Sequence, residues 1–184
     1  ETFIIFIKMK IIKTKIEGLL TIEPIVFEDK RGYFFESWSK SAFENAGLNI
    51  NFVQDNQSFS SKGVIRGLHF QNPPFAQGKL VRVLKGSVLD IAVDIRENSP
   101  TYGKYFSIHL SGENKTMFWI PPGFAHGFST LEDNTIFSYK WSGVYNKESE
   151  GSLLWNDTDL NINWKIKNPI ISEKDQNSAI FANF

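Results

Sequence analysis

The chain has 184 residues, enough for one domain with a substantial buried core, and its 20 basic and 20 acidic side chains cancel. A balanced charge gives no net field to recruit nucleic acid or a membrane surface, so any anion must be held by local Arg and Lys. The absence of cysteine excludes a disulfide framework and a thiolate metal site, while 17 Phe, 5 Trp and 5 Tyr suit a β-rich core and stacking surfaces.

The apolar opening FIIFI is too short for a membrane span and has no small-residue cleavage site after it. Met9 begins a plausible natural start, MKIIKTKIEGLLTIEP. Residues 1–8 are therefore expected to be an N-terminal extension to a single domain over 9–184. Nothing points to export, and a cytoplasmic protein is expected. Short runs rich in Val, Ile and Phe recur along the chain, punctuated by glycines such as Gly32, Gly63, Gly86 and Gly112. That cadence predicts an all-β sandwich or barrel. Helix signals are sparse, and KSAFENA (40–46), ending at Gly47, is the clearest.

The stretch 64–79, VIRGLHFQNPPFAQGK, sets His69 between Arg66 and Lys79 where a strand is expected to enter a loop. Only three histidines occur, so few side chains can move protons near neutral pH. A histidine among cations is the outline of an acid–base site for a phosphorylated ligand. The run 79–96 then reads as a hairpin turning near Lys85 and Gly86. On its second strand Leu89, Ile91, Val93 and Ile95 share one face, while Asp90, Asp94 and Arg96 fall on the other. The charged face could wall a polar cavity, but alternation alone favours a solvated outer face. A second hairpin is expected from 105–110 into 116–123, and the polar tail 157–184 is expected to wrap the sandwich.

IPPGFAHGF (120–128) places His126 after a rigid turn, and its P-x-G-x-x-H spacing is similar to the second half of the cupin signature. Metal cupins draw further ligands from a His-x-His pair and a glutamate; here the corresponding RGLHFQ holds one histidine, then Phe70 and Gln71. No metal centre is expected. His69 then has two readings, a histidine packed and hydrogen-bonded in a β-core or an acid–base group. The second gains from Arg66, Lys79 and a tail carboxylate, Asp175 in SEKD, since a bound carboxylate raises imidazole basicity. Tyr139 and Tyr145, in FSYKWSGVYNKE, are core aromatics or else a proton donor and a stacking surface.

Five segments in order, 27–38 (FEDKRGYFFESW), 52–71, 77–104, 119–128 and 155–164 (WNDTDLNINW), together with SYK and SEKD, resemble the dTDP-4-dehydrorhamnose 3,5-epimerase family. The resemblance covers roughly 9 to 176. It implies a double-stranded β-helix, or jelly-roll, cupin-like barrel with a few short helices. It also implies epimerisation at C3 and C5 of dTDP-4-dehydro-6-deoxy-D-glucose, through enolates and with no cofactor, to give dTDP-4-dehydro-L-rhamnose. By matching positions, His69 would be the base, Asp175 its dyad partner, Tyr139 the opposing proton donor and Lys79 the enolate stabiliser. Arg66, Lys174 and His126 would hold the nucleotide-sugar, Gln54 and Asn56 would help bind the nucleotide, and Tyr145 would stack on thymine. Glu150 falls at another ligand-binding position. Arg31 and Glu36 would reach the nucleotide site from the partner subunit of a homodimer. An enzyme of the same fold that inverts only C3 or only C5 shares these motifs and is the nearest alternative.

Overall fold

A computed structural model of the chain describes residues 9–184; the expected extension, 1–8, lies outside the described residues. Two sheets pack face to face. One has six strands in the order β1 (Lys10–Lys13), β2 (Leu20–Glu23), β10 (Met117–Ile120), β7 (Lys79–Lys85), β12 (Thr135–Trp141), β5 (Gln54–Ser60). The other has five, in the order β13 (Glu150–Ser152), β6 (Ile65–Gln71), β11 (Phe124–Thr130), β8 (Ser87–Asp94), β9 (Tyr105–Ser111). A separate ribbon pairs β3 (Phe27–Asp29) with β4 (Gly32–Phe34). All pairings between these strands are antiparallel, as expected for a jelly-roll.

Neither expected hairpin forms. β7 and β8 follow one another but lie in different sheets, and so do β9 and β10. Gly86, with φ of 77°, turns a corner there: β7 pairs with β10 and β12, and β8 with β9 and β11. A turn signal marks where the chain reverses, but pairing is decided by which sheet buries the apolar face that follows.

The core lies in three layers. Between the sheets, Val81, Val83, Phe118 and Phe137 meet Val88, Ala92, Leu110 and Phe128. Behind the five-stranded sheet, Ile65, Leu68, Ile91 and Val93 pack under Leu153, Leu160 and Trp164, from the segments that follow β12. Behind the six-stranded sheet, Leu80, Met117 and Trp119 pack with Phe43 of α1 (Lys40–Asn45), the expected helix. Ser39 caps α1 by accepting the Ala42 amide, and Gly47, at φ of 84°, lets the chain leave it. Burying Phe43 there is worth roughly 1.5–3 kcal/mol, more than so short a helix gains from its own hydrogen bonds.

Because the tail covers one sheet from outside, β8 is buried on both faces. Leu89, Ile91 and Val93 face the tail, while Asp90 and Asp94, both fully buried, lie on the other face of the strand. The solvated-face reading is therefore corrected: alternation reports two environments without saying that either is water.

Candidate active site

β6 and β11 run side by side in the five-stranded sheet, with His69 opposite His126. Two glycines let them approach: a Cβ on Gly67 would lie 2.5 Å from Gly127 Cα, and Gly67 has φ of 127°. The ladder shifts register between His126 and Phe128, re-aiming side chains beside the site. Each histidine carries a carboxylate. His69 Nε2 lies 2.6 Å from Asp175 Oδ1, and His126 Nε2 lies 3.0 Å from both oxygens of Asp90.

Asp175 sits on α2 (Glu173–Gln176), where the Ser172 hydroxyl oxygen accepts its amide at 3.2 Å. Burial pushes its carboxyl up, but the bond and charge of His69, then the Gly67 amide and Ser172, outweigh that and hold it below its usual value. The dyad leaves His69 Nδ1 as its other ring nitrogen. His126 is more enclosed. Burial drives its imidazole toward the neutral form and pushes the Asp90 carboxyl up, while the bond between them opposes both shifts.

Lys79, at the start of β7, is buried, and its ammonium donates to the His69 carbonyl at 3.2 Å. Burial lowers its pKa to about 8, with Asp90 and Glu150 opposing. Tyr139 stands on β12, so it belongs to the sheet opposite His69. Burial raises its pKa and Arg66 opposes the rise, so its phenol keeps its proton at neutral pH. The ring continues an aromatic row, Phe128, Phe137, Tyr139, Trp141 and Tyr145, with successive centroids 4.2 to 6.3 Å apart. Arg66 is steadied by the Ser60 hydroxyl at 3.1 Å and the Phe59 carbonyl at 3.3 Å. At the mouth, Glu150 accepts from Lys174 at 2.5 Å and from the Tyr145 hydroxyl at 3.2 Å.

These groups line one cavity of about 540 Å³, room for a nucleotide-sugar portion rather than a small metabolite alone. Nine residues singled out in the sequence meet there: His69, Tyr139, Asp175, Lys79, Arg66, His126, Tyr145, Glu150 and Lys174. Four others stand apart from its lining. Arg31 is exposed at the tip of the β3–β4 ribbon, paired with Asp29. Glu36 lines a second cavity, about 380 Å³, with Phe27, Phe34 and Met117. Gln54 and Asn56 bond to each other at 2.9 Å on β5, where Asn56 is the cross-strand partner of Tyr139.

Sequence reasoning passed over three residues. Asp90 was seen only as part of a charged face. Gln71 pins the mouth, donating to the Phe75 and Val144 carbonyls and accepting the Asn146 amide at 2.8 Å. Trp141 lines the cavity, and its indole nitrogen is buried without a partner among the described residues. Spacing two residues from Tyr139 on the same strand was the available signal for Trp141. Among the described residues, no three His, Asp or Glu side chains converge as metal ligands.

A base on one wall, a protonated phenol on the other and a cation between them can remove a proton beside a carbonyl and return one from the opposite face. Comparison with known proteins gives the family. Residues 13–183 match the family model for dTDP-4-dehydrorhamnose 3,5-epimerase. The chain belongs to that family. A member from Shigella flexneri is 52% identical, over 94% of this chain and 96% of its own length. The crystal structure of the Elizabethkingia anophelis NUHP1 member superimposes with a TM-score of 0.90 at 54% identity, covering 95% of this chain and 97% of that one. The Legionella pneumophila Philadelphia 1 member, solved with dTDP-4-keto-L-rhamnose, gives 0.89 at 48% identity, covering 94% and 92%. The family fold is the jelly-roll described above, and the chain is an isomerase of the epimerase class.

Proposed function

We propose that the chain epimerises dTDP-4-dehydro-6-deoxy-D-glucose at C3 and C5, giving dTDP-4-dehydro-L-rhamnose. The observation that carries this reading is the placing of His69 and Tyr139 on opposed sheets around one cavity. The C4 ketone acidifies the hydrogens on C3 and C5. His69, held in place by its bond to Asp175, takes one of them. Lys79 stabilises the enolate oxygen as charge develops, in a setting where burial strengthens the interaction. Tyr139 returns a proton from the other face, and the centre inverts. Arg66, Lys174 and His126 hold the diphosphate and sugar oxygens, and Tyr145 stacks on the thymine. Binding energy from the nucleotide keeps the sugar in reactive geometry. No redox change occurs, so no cofactor is required.

Arg31, Glu36, Gln54 and Asn56 complete the nucleotide site in this reading. Arg31 and Glu36 do so from the partner subunit of a homodimer. The exposure of Phe27, Tyr33 and Phe34 on the same ribbon supports that assignment, because isolated two-stranded ribbons seldom leave such rings in water. Sedimentation at assay concentration should give a dimer; a fully active monomer would sink the shared site. Among the described residues no helix is long and apolar enough to cross a membrane. We place the reaction in the cytoplasm because a nucleotide-sugar is its substrate.

Incubation with the 4-keto sugar nucleotide in D₂O, followed by NMR, tests the reaction. Deuterium and inversion at both C3 and C5 are expected. Inversion at a single carbon would instead identify a mono-epimerase.

A further inference from the structure

α2 is only four residues long, too short to hold itself, yet it must keep the Asp175 carboxylate within 2.6 Å of His69. The chain is fixed on both sides of it. Before α2, Ile170 bridges to Val64; after it, Ala179 bridges to Leu153. Leu153 is a shared foothold. Its N–H donates to the Leu68 carbonyl at 3.0 Å and its carbonyl accepts the Leu68 amide at 3.3 Å, beside the histidine itself. The Ala179 carbonyl accepts the Leu154 amide at 2.7 Å. So the strand that carries the base and the segment that carries its carboxylate hang on one short stretch of chain.

Two residues further along, Phe181 is anchored twice. Its amide donates to Asp157 Oδ2 at 2.7 Å, and its ring lies 5.1 Å from that of Tyr102. Asp157 is buried and rigid, because its Oδ1 accepts the Asp159 and Leu160 amides at 2.9 and 3.0 Å. We propose that the segment after α2 is a strap for the base, and that Asp157 and Phe181 are positioning residues that hold Asp175 against His69. Neither lines the cavity. The strap rests on the reading of His69 as the base.

The test uses full-length Asp157→Asn and Phe181→Ala, each alone and combined with Asp175→Asn, assayed well below their melting transitions. Each strap substitution should lower kcat by roughly 10- to 100-fold, because small displacements of a catalytic group cost that much. KM should change less than about two-fold, since no substrate contact is lost. In the Asp175→Asn background neither substitution should cost anything further. Unchanged kcat, a KM that rises as far as kcat falls, or losses that multiply in the Asp175→Asn background would each overturn the strap. If Phe181→Ala fails to fold, Phe181→Leu keeps the backbone bond and part of the packing, and should show the same loss of kcat at smaller size. Failure of the base assignment is distinct: His69→Ala would then still exchange deuterium and epimerise.

Discussion

His126 meets Asp90 across neighbouring strands of one sheet, 36 positions apart, whereas His69 meets Asp175 across 106 positions, on a helix in the tail. The first pair is almost wholly enclosed, with Lys79 adding its charge to Asp90. The second is asymmetric, its histidine side chain 35% exposed and its carboxylate 4%. Sheet register fixes one pair, and a separately docked segment fixes the other. The enclosed pair is suited to architecture and orientation, and the half-open pair to proton transfer, which needs a nitrogen that substrate can reach.

The comparison is broken most severely by deleting each imidazole. His69→Ala should abolish both inversion and solvent deuterium entry, a loss of at least roughly 10²–10⁴-fold. His126→Ala should slow turnover while leaving measurable deuterium exchange. Equal loss of exchange in both variants would erase the distinction between the pairs. Tyr139→Phe comes next. Base and cation survive, so an enolate still forms, and deuterium should enter with retention while inverted product falls sharply, most clearly at C5. Wild-type epimerisation by that variant would show that another group is the acid.

The carboxylates sharpen the contrast through stability. Asp90→Asn removes the fully buried carboxylate that holds His126 and should cost about 3 kcal/mol in urea unfolding, the upper end for a hydrogen bond to a charged group. Asp175→Asn should cost about 1 kcal/mol, since the amide can still accept from its neighbours, while reducing kcat strongly. The reverse ordering would exchange the two roles.

A smaller effect concerns pH. Burial depresses Lys79 from 10.5 to about 8, so its ammonium is lost as pH rises through about 8, and kcat should decline there as the enolate loses its cation. Over the same interval stability should rise, because the unfolded chain still binds that proton up to its usual value of 10.5 while the folded one does not. Lys79→Arg should remove the alkaline limb, since guanidinium stays protonated. Persistence of the limb in that variant would assign it elsewhere. The smallest effect should be none at all: exhaustive EDTA treatment is expected to leave turnover unchanged, and recovery with iron, zinc or manganese after a loss would overturn the metal-free reading of His69 and His126.

Much of the cavity was legible in the sequence, for uneven reasons. His69 between Arg66 and Lys79 was visible as local chemistry, because a strand holds such neighbours together. Asp175 was visible as a candidate carboxylate in the tail, but nothing local links it to residue 69, and only the resemblance made it the dyad partner before the geometry did. Asp90 was visible as a charge and misjudged as an environment, because alternation cannot separate a cavity wall from a solvated face. The two expected hairpins failed for a related reason. Gly86 reports a reversal of direction and carries no information about which sheet receives the next strand.

That alternation of consecutive strands between sheets also has a kinetic side. β6 needs β11 and β13 as neighbours, and β7 needs β10 and β12, so neither sheet can be completed from an unbroken stretch of chain. Closing such long loops before any ladder is rewarded makes folding slow. It should also make folding concerted, with no half-barrel accumulating. Tryptophan fluorescence, far-UV dichroism and catalytic activity should therefore vanish together on denaturant titration, within a single transition.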